Sequence, residues 1–239
     1  QWLPKAHVEA PVGGSIILAG VLLKLGGYGL LRVSVLFHPS GTLIKVLVLS
    51  LLGRSILRIV CLRLRDLKVI IAYSSVVHMA FIIAGCISTT SWGVRGAIAI
   101  IIAHGVCSSG IFMVANIMYE RSHSRNLVQN KGILNLFPAI RALWFILCVA
   151  NFGGPFTYNL LGEILLIVNL ASLSLPIVLR AGVISFFSAA YRLILYSSTQ
   201  QGLRVNGRFS ITAVTAREIL IMFSHIWPLL LLLMSPMLI

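Results

Sequence analysis

Long apolar runs, most of them about twenty residues long, constrain this chain more than any other feature of its sequence. The runs cover residues 12–33, 42–61, 68–87, 95–119, 134–171, 176–199 and 214–236. Only 10% of the 239 residues are charged, and the mean hydropathy is +1.01, so most of the chain needs lipid as its solvent. Because lipid offers the backbone no hydrogen bonds and the runs do not alternate, they favour helices over a barrel. We therefore predict an all-α membrane protein, a single transmembrane domain over residues 1–239 with about seven transmembrane helices.

The fifth run is too long for one straight helix, and the sequence "ANFGGPFTYN" lies in its middle. Gly153, Gly154 and Pro155 together are expected to break a helix there. We predict one crossing made of two half-helices, residues 137–150 and 156–171. Two separate short interfacial helices are the alternative.

Basic residues outnumber acidic ones, 19 to 5, and they collect in alternate loops. One set of loops contains Lys5, Arg63, Arg65, Lys68, Arg121, Arg125, Lys131, Arg204, Arg208 and Arg217, whereas the other set contains little beyond Arg32 and Arg95. The positive-inside rule then places the N-terminal end on the cytoplasmic or matrix side and the C-terminus opposite. No nucleic-acid-binding motif accompanies the charge, so we expect contacts with anionic lipids and none with nucleic acid.

Four ionisable residues, Lys24, His78, His104 and Glu163, lie near the midplane when depth is counted at about 1.5 Å per residue. Each would cost ~2.5–3.5 kcal/mol if it faced lipid charged and unpaired. We therefore expect the four side chains to meet in a hydrated interior and to relay protons. A break and an acid on one crossing are also typical of ion sites in transporters.

Other interpretations of these residues remain open. Lys24 could extend its ammonium to an interface, the two histidines could be satisfied core residues, and Glu163 could be a structural partner for the broken backbone. Arg54, Arg58, Arg180 and Arg192 also lie in or near apolar runs. Those nearer helix ends are expected to snorkel, whereas Arg192 is deeper and receives no assignment.

The sequence contains no recognisable ligand set for a cofactor or a metal. His7 and Glu9 have the spacing of a zinc-deaminase motif, but the cysteine pair that such a site needs is absent. No flavin, haem or iron–sulfur ligand pattern occurs, and no phosphate-binding glycine loop follows a strand. We therefore expect no cofactor and no metal in this chain.

Several stretches resemble the subunit 4 family of mitochondrial NADH:ubiquinone oxidoreductase, respiratory complex I. They are "WLPKAHVEAPVGGSIILAGVLLKLGGYGLLR", "LKVIIAYSSVVHMAFI", "IAHGVCSSGIFMVAN", "YERSHSRN" and "NLLGE". The resemblance covers nearly the whole chain, and Lys5 in "LPKAH" is similar to the mitochondrial form. It implies an antiporter-like, proton-translocating subunit of the membrane arm in the mitochondrial inner membrane, with its C-terminus toward the intermembrane space.

The family has fourteen transmembrane helices in two inverted five-helix repeats, and this chain resembles the last seven. The second repeat would cover about residues 42–199, and the C-terminal helix about 214–236. The resemblance implies other membrane-arm subunits as partners, including neighbouring antiporter-like subunits and possible lipids such as cardiolipin. It also implies that NADH, FMN, iron–sulfur clusters and ubiquinone are bound by partner subunits.

By motif, Lys24 resembles the family's eighth-helix lysine, which joins the two half-channels. His78 and His104 match the polar positions of the tenth and eleventh helices, and Glu163 matches the acid on the broken twelfth helix. The family's helix-five glutamate and helix-seven lysine would precede Gln1. Our leading hypothesis is proton transfer from Lys24 through His104, His78 and waters to Glu163, followed by release. A cation/proton antiporter subunit and a structural, non-conducting half-subunit are the alternatives.

Overall fold

The computed structural model describes residues 2–34, 36, 41–173, 175–202 and 213–234, and this part of the chain is overwhelmingly helical. The helices are α1 (Trp2–Glu9), α2 (Val12–Ile17), a π-helical turn (Leu18–Leu22), α3 (Leu23–Ser34), α4 (Gly41–Arg63), α5 (Leu67–Ser88), α6 (Ser91–Ser122), a 3₁₀ turn (Ile133–Leu136), α7 (Pro138–Phe152), α8 (Tyr158–Leu173), α9 (Leu175–Gln200) and α10 (Ala216–Met234). Every predicted apolar run falls on one of these helices or on a consecutive group of them. The predicted end of the last run, at residue 236, lies outside the described residues.

Three segments of the described chain are long and apolar enough to cross a membrane: Val12–Ser34, Leu67–Ser88 and Ser91–Ser122. The first of them is α2, the π-helical turn and α3 in one continuous segment. Pro138–Phe152 and Tyr158–Ser172 are shorter apolar helices, as the predicted two-part crossing requires.

The predicted break in the fifth run is confirmed. Helix α7 ends at Phe152, and Gly153 follows with a φ of +70°, a left-handed conformation that favours glycine. The backbone N–H of Gly154 then bonds the Val149 carbonyl at 2.9 Å, which closes the helix end. Helix α8 begins at Tyr158, and both half-helices pack against α6, so the two halves share one neighbour. This arrangement favours the single broken crossing over two separate interfacial helices.

Helix α6 is the centre of the bundle, packing against α2, α5, α7, α8 and α10. Its contact with α8 is made close by glycines on both helices. A Cβ added to Gly162 would lie 2.6 Å from the Ile100 side chain, and one added to Gly96 would lie 2.9 Å from the Leu166 side chain. The small residues therefore hold α8 against α6 and fix the position of Glu163, which follows Gly162 directly.

Large apolar side chains cover the outer surface of the bundle. They include Ile17, Leu25, Leu49, Phe186, Leu193, Leu220 and Trp227, which are all exposed. In water such a surface would drive aggregation, whereas against acyl chains it costs nothing. The chain is therefore a multi-pass membrane protein.

Polar contacts tie the helix ends together near residues 66 and 126. Asp66 and Asn126 form an antiparallel bridge, flanked by backbone hydrogen bonds from Leu67 to Arg125 at 2.9 Å and from Leu127 to Arg65 at 2.7 Å.

Nearby in the chain, Arg121 at the end of α6 donates two hydrogen bonds to Glu218 in the first turn of α10, at 3.1 and 2.9 Å. These contacts fix how α5, α6 and α10 begin and end.

Candidate functional site

Lys24 is buried inside the bundle, and the π-helical turn supplies part of its environment. In that turn the N–H of Leu23 bonds the carbonyl of Leu18, five residues back, so the Ala19 carbonyl is left without its usual α-helical partner. The Lys24 ammonium donates to this freed carbonyl and lies 3.2 Å from Nδ1 of His104. A Cβ added to Gly105 would lie 3.3 Å from Cε of Lys24, so the glycine leaves room for the lysine stem. Lys24 thus points into the protein and does not reach for an interface.

His104 and His78 continue the line of polar groups from Lys24. Both side chains are fully buried, and their ring centroids are 4.6 Å apart with the planes tilted by 32°. His78 in turn places Nδ1 at 3.8 Å from Oε1 of Glu163, and its Nε2 contacts the Arg192 guanidinium. The structure therefore brings the side chains of Lys24, His104, His78 and Glu163 together in one series.

The partners of each histidine indicate which ring nitrogen carries hydrogen. A guanidinium has only donors, so Nε2 of His78 accepts and Nδ1 carries the hydrogen. An ammonium at Lys24 likewise makes Nδ1 of His104 an acceptor and leaves the hydrogen on Nε2. The N–H of His78 then lies on the nitrogen that is 3.8 Å from Oε1 of Glu163.

Glu163 is buried beside the helix break and makes no close bond to His78. The 3.8 Å separation is an ion-pair distance rather than a hydrogen bond, and Oε1 has no hydrogen-bond partner among the described residues. Its other oxygen lies next to Gly153, where a Cβ would be 3.4 Å from Oε2. A proton can cross from His78 to Glu163 only after a small approach of the two side chains or through one bridging water.

The broken backbone does not depend on Glu163 for its hydrogen bonds. Asn159 donates its amide to the Ala150 carbonyl at 2.8 Å, and Thr157 donates its hydroxyl to the Gly154 carbonyl at 2.7 Å. The N–H of Gly154 is already used within the α7 end. The alternative in which Glu163 serves the break as a structural partner therefore finds no support in the contacts.

Three buried arginines were missed as site residues by sequence reasoning. Arg54 and Arg58 are 1% and 0% exposed, so the expectation that they snorkel is wrong; their stems lead into the bundle instead of out to an interface. Arg192, which received no assignment, contacts His78 and donates Nε to the Tyr191 hydroxyl at 3.0 Å. The side chain of Arg180 lies outside the described residues. The spacing of four between Arg54 and Arg58, which puts both on one helix face, is the signal that could have found them.

No metal-binding cluster is present within the described ranges: no three His, Cys, Asp or Glu side chains there are grouped to hold an ion.

A polytopic helical bundle with ionisable side chains from four helices in contact at its centre defines the antiporter-like class of membrane protein. The chain belongs to the NADH:quinone oxidoreductase/Mrp antiporter transmembrane family, whose model matches residues 1–188 and so includes all four side chains of the series. This confirms the resemblance found in the sequence.

Individual relatives agree with the family assignment. The chain is 49% identical over 236 residues to NADH-ubiquinone oxidoreductase chain 4 of Aedes aegypti, covering 98% of this chain and 53% of the relative. It spans about half the length of the curated relatives it matches.

Among solved structures, it is similar to a chain of respiratory complex I from Thermus thermophilus with bound NADH, with a TM-score of 0.88, 27% identity, and coverage of 98% of this chain and 50% of that one. A chain of the Mrp complex from Dietzia sp. DQ12-45-1b matches with a TM-score of 0.88 at 15% identity, covering 99% of this chain and 53% of that one, which shows a shared fold.

Proposed function

We propose that this chain forms the proton-exit half of an antiporter-like, proton-translocating membrane subunit of NADH:ubiquinone oxidoreductase. The observation that carries the proposal is the contact series from Lys24 through His104 and His78 to Glu163, built from four helices and buried throughout. Buried ionisable groups inside a membrane domain are costly and mark ion or proton paths. The family match and the relatives named chain 4 support the same function.

In this mechanism each side chain hands on one proton. Lys24 donates from its ammonium to Nδ1 of His104, and His104 releases the proton of Nε2 toward His78. His78 receives that proton on Nε2 and then passes its Nδ1 proton to the Glu163 carboxylate across the 3.8 Å gap, so the ring stays neutral overall, and Glu163 releases the proton on the exit side. Because the proton arrives on Nε2, the nitrogen that Arg192 contacts, Arg192 has to withdraw in each cycle, and both imidazole rings have to turn over to restore their starting tautomers. The structure thus supports a relay in which Arg192 closes the path at His78.

The redox half of the reaction belongs to other subunits in this proposal. NADH, FMN, iron–sulfur clusters and ubiquinone are bound by partners, and coupling reaches this chain through neighbouring antiporter-like subunits of the membrane arm. The subunit lies in the mitochondrial inner membrane, its N-terminal end on the matrix side and its C-terminus toward the intermembrane space. The excess of basic loop residues supports that orientation and contacts with anionic lipids such as cardiolipin.

The test is Glu163→Gln in the assembled enzyme, measured as protons translocated per NADH oxidised in closed vesicles. Glutamine keeps the shape of the side chain but cannot carry the proton, so the stoichiometry should fall. The matched control is Glu120→Gln, because Glu120 is exposed at the end of α6 and lies outside the series. An unchanged stoichiometry in Glu163→Gln would refute the exit role.

A cation/proton antiporter is the second candidate, favoured by the fold shared with the Mrp complex. The two functions differ in their dependence on sodium. Proton movement by the enzyme that is unchanged when sodium is replaced by choline supports the first function, whereas proton movement that requires sodium supports the second.

A further inference from the structure

The arginines of α4 and α9 form a cationic cluster inside the bundle, made of Arg54, Arg58 and Arg192. Arg54 and Arg58 are four residues apart on α4 and so share one face, and α4 packs against α9, which carries Arg192. The three charges interact with one another, and all three side chains are at least 97% buried. Bringing like charges together out of water is costly unless something of opposite charge accompanies them.

Hydrogen bonds within the described chain do not satisfy this cluster. Six buried guanidinium nitrogens have no partner there: Nε and Nη1 of Arg54, Nε, Nη1 and Nη2 of Arg58, and Nη1 of Arg192. Arg54 does stack over the Phe81 ring, with the guanidinium carbon 3.5 Å from the ring centroid, but this contact uses the face of the group and none of its N–H donors. Arg58 is the extreme case, since all three of its nitrogens lack a partner among the described residues.

The nearest acid does not neutralise the cluster. Glu163 interacts electrostatically with Arg54 and Arg58, but its Oε1 accepts no hydrogen bond, and among the described residues its only ion pair within 4.0 Å is with His78. Lys24 adds a further buried cation nearby through His104. One carboxylate against this many cations leaves the described interior with an uncompensated positive charge.

We infer that the arginine cluster is a binding site for a small inorganic anion of the halide class, held by those N–H groups of Arg54 and Arg58 that have no partner in the described part of the chain. A single anion can accept several guanidinium hydrogen bonds at once and offset the charge, whereas water can accept the bonds but carries no charge. The ligand must be small, because the side chains that would hold it are closed off from the surface. A lipid phosphate is attached to acyl chains that such a closed site does not admit.

The experiment uses the assembled complex, purified in detergent, with chloride replaced by bromide or by gluconate at equal ionic strength. Halides should raise the thermal midpoint of the subunit in a saturable way, and gluconate should not. Bromide should also give an anomalous diffraction peak within hydrogen-bond distance of Arg54 and Arg58. The double variant Arg54→Met with Arg58→Ser should lose both the halide dependence and the peak.

The double variant should fold at least as well as wild type in gluconate, because it removes buried, unpaired charges. Arg63→Ser is the matched control, since Arg63 lies on the same helix but is exposed, and it should keep the full halide dependence. The inference would be overturned if the thermal midpoint of the wild type did not depend on halide. A bromide peak elsewhere, or ordered water alone at the guanidinium groups, would also overturn it. The bromide measurement on wild type needs no variant, so a failure of the double variant to assemble would leave the test intact.

Discussion

Two pairs of an acidic and a basic side chain in this chain have very different geometry. Arg121 and Glu218, at the ends of α6 and α10, are joined by two parallel hydrogen bonds of 3.1 and 2.9 Å. His78 and Glu163, in the middle of the bundle, are 3.8 Å apart, and the facing atoms Nδ1 and Oε1 have no hydrogen-bond partner among the described residues. The side chains of the first pair are hydrogen-bonded to each other, whereas those of the second pair are close but not hydrogen-bonded.

The difference separates a structural pair from one that can exchange a proton. A bidentate arginine–carboxylate pair holds its two helices in register and cannot lose its proton or its partner without breaking that contact. A histidine and a carboxylate that stand slightly apart keep both partners free to change protonation.

Replacing Glu218 by alanine should cause the largest loss of stability. It leaves the buried Arg121 without its carboxylate, a change that typically costs ~3–5 kcal/mol. The free energy of unfolding, measured by denaturant titration in detergent micelles, reports the loss. Glu9→Ala is the control, because Glu9 is exposed at the end of α1 and should change stability by only a few tenths of a kcal/mol, or ~0.5 at most. Equal losses in the two variants would contradict the structural role of the Arg121 pair.

Replacing Lys24 by methionine should have the opposite profile. The change keeps an unbranched side chain of similar length and removes a buried charge, but it leaves the Ala19 carbonyl and Nδ1 of His104 without a donor, so stability should change far less than in the Glu218 variant. Proton translocation should fall by about 100-fold or more, the scale of removing a positioned proton donor. Stopped-flow measurement of vesicle acidification checks the rate.

Lys45→Met is the control for Lys24, since Lys45 is exposed on α4. A loss of stability in Lys24→Met without a loss of translocation would show that Lys24 is a structural residue like Arg121, and the contrast between the two regions would fail.

Gly153→Ala tests the helix break that places Glu163. A left-handed backbone costs a residue with a Cβ about 1–2 kcal/mol, so the variant should be destabilised by that amount. Gly26→Ala is the control, because Gly26 lies inside α3, has no atom within 4 Å of an added Cβ, and should gain up to about 1 kcal/mol from better helix propensity. A variant at Gly153 as stable as wild type would mean that the break can relax, and that Glu163 is not held by it.

The sequence predicts a good part of this arrangement because depth along a helix follows directly from residue number. The apolar runs give the helices, Gly153 to Pro155 give the break, and counting along each run puts Lys24 and Glu163 at one level. Depth says nothing about which way a helix is rotated, which is set by packing against its neighbours. For that reason Arg54 and Arg58 were expected to snorkel, although α4 turns them inward.

The π-helical turn is a second feature that the sequence does not predict. Residues Leu18 to Leu22 contain one poor helix former, Gly20, and no proline, and a single glycine inside a helix does not by itself indicate a wider turn. The turn matters because it frees the Ala19 carbonyl for Lys24, a backbone effect that side-chain patterns do not encode. Likewise the contact of Arg192 with His78 joins residues 114 apart in the chain, a pairing that no local pattern contains.

His7 provides the smallest test, a buried histidine outside the relay. It stacks on Phe112 with ring centroids 4.4 Å apart and planes within 7°, and neither ring nitrogen has a hydrogen-bond partner in the described part of the chain. Burial, followed by the charges of Lys24 and Lys68, lowers the pKa of His7 from 6.5 to about 4. His7 is therefore a packing residue that stays neutral, unlike the histidines that contact Lys24, Arg192 and Glu163.

Because the folded chain binds a proton on His7 less readily than the unfolded chain, acid should lower the stability of the fold. Between pH 6.5 and about 4 the unfolded chain takes a proton on His7 that the folded chain refuses, so stability falls as pH drops through this window. At pH 5.5 the loss should be about 1 kcal/mol relative to neutral pH. His7→Phe keeps the stacked ring and cannot titrate, so its unfolding free energy should fall less between pH 7 and 5.5 than that of wild type. If the unfolding free energy of both proteins falls by the same amount, His7 is not the residue that titrates in this window. The distinction between His7 as a packing residue and the histidines of the relay would then have no support.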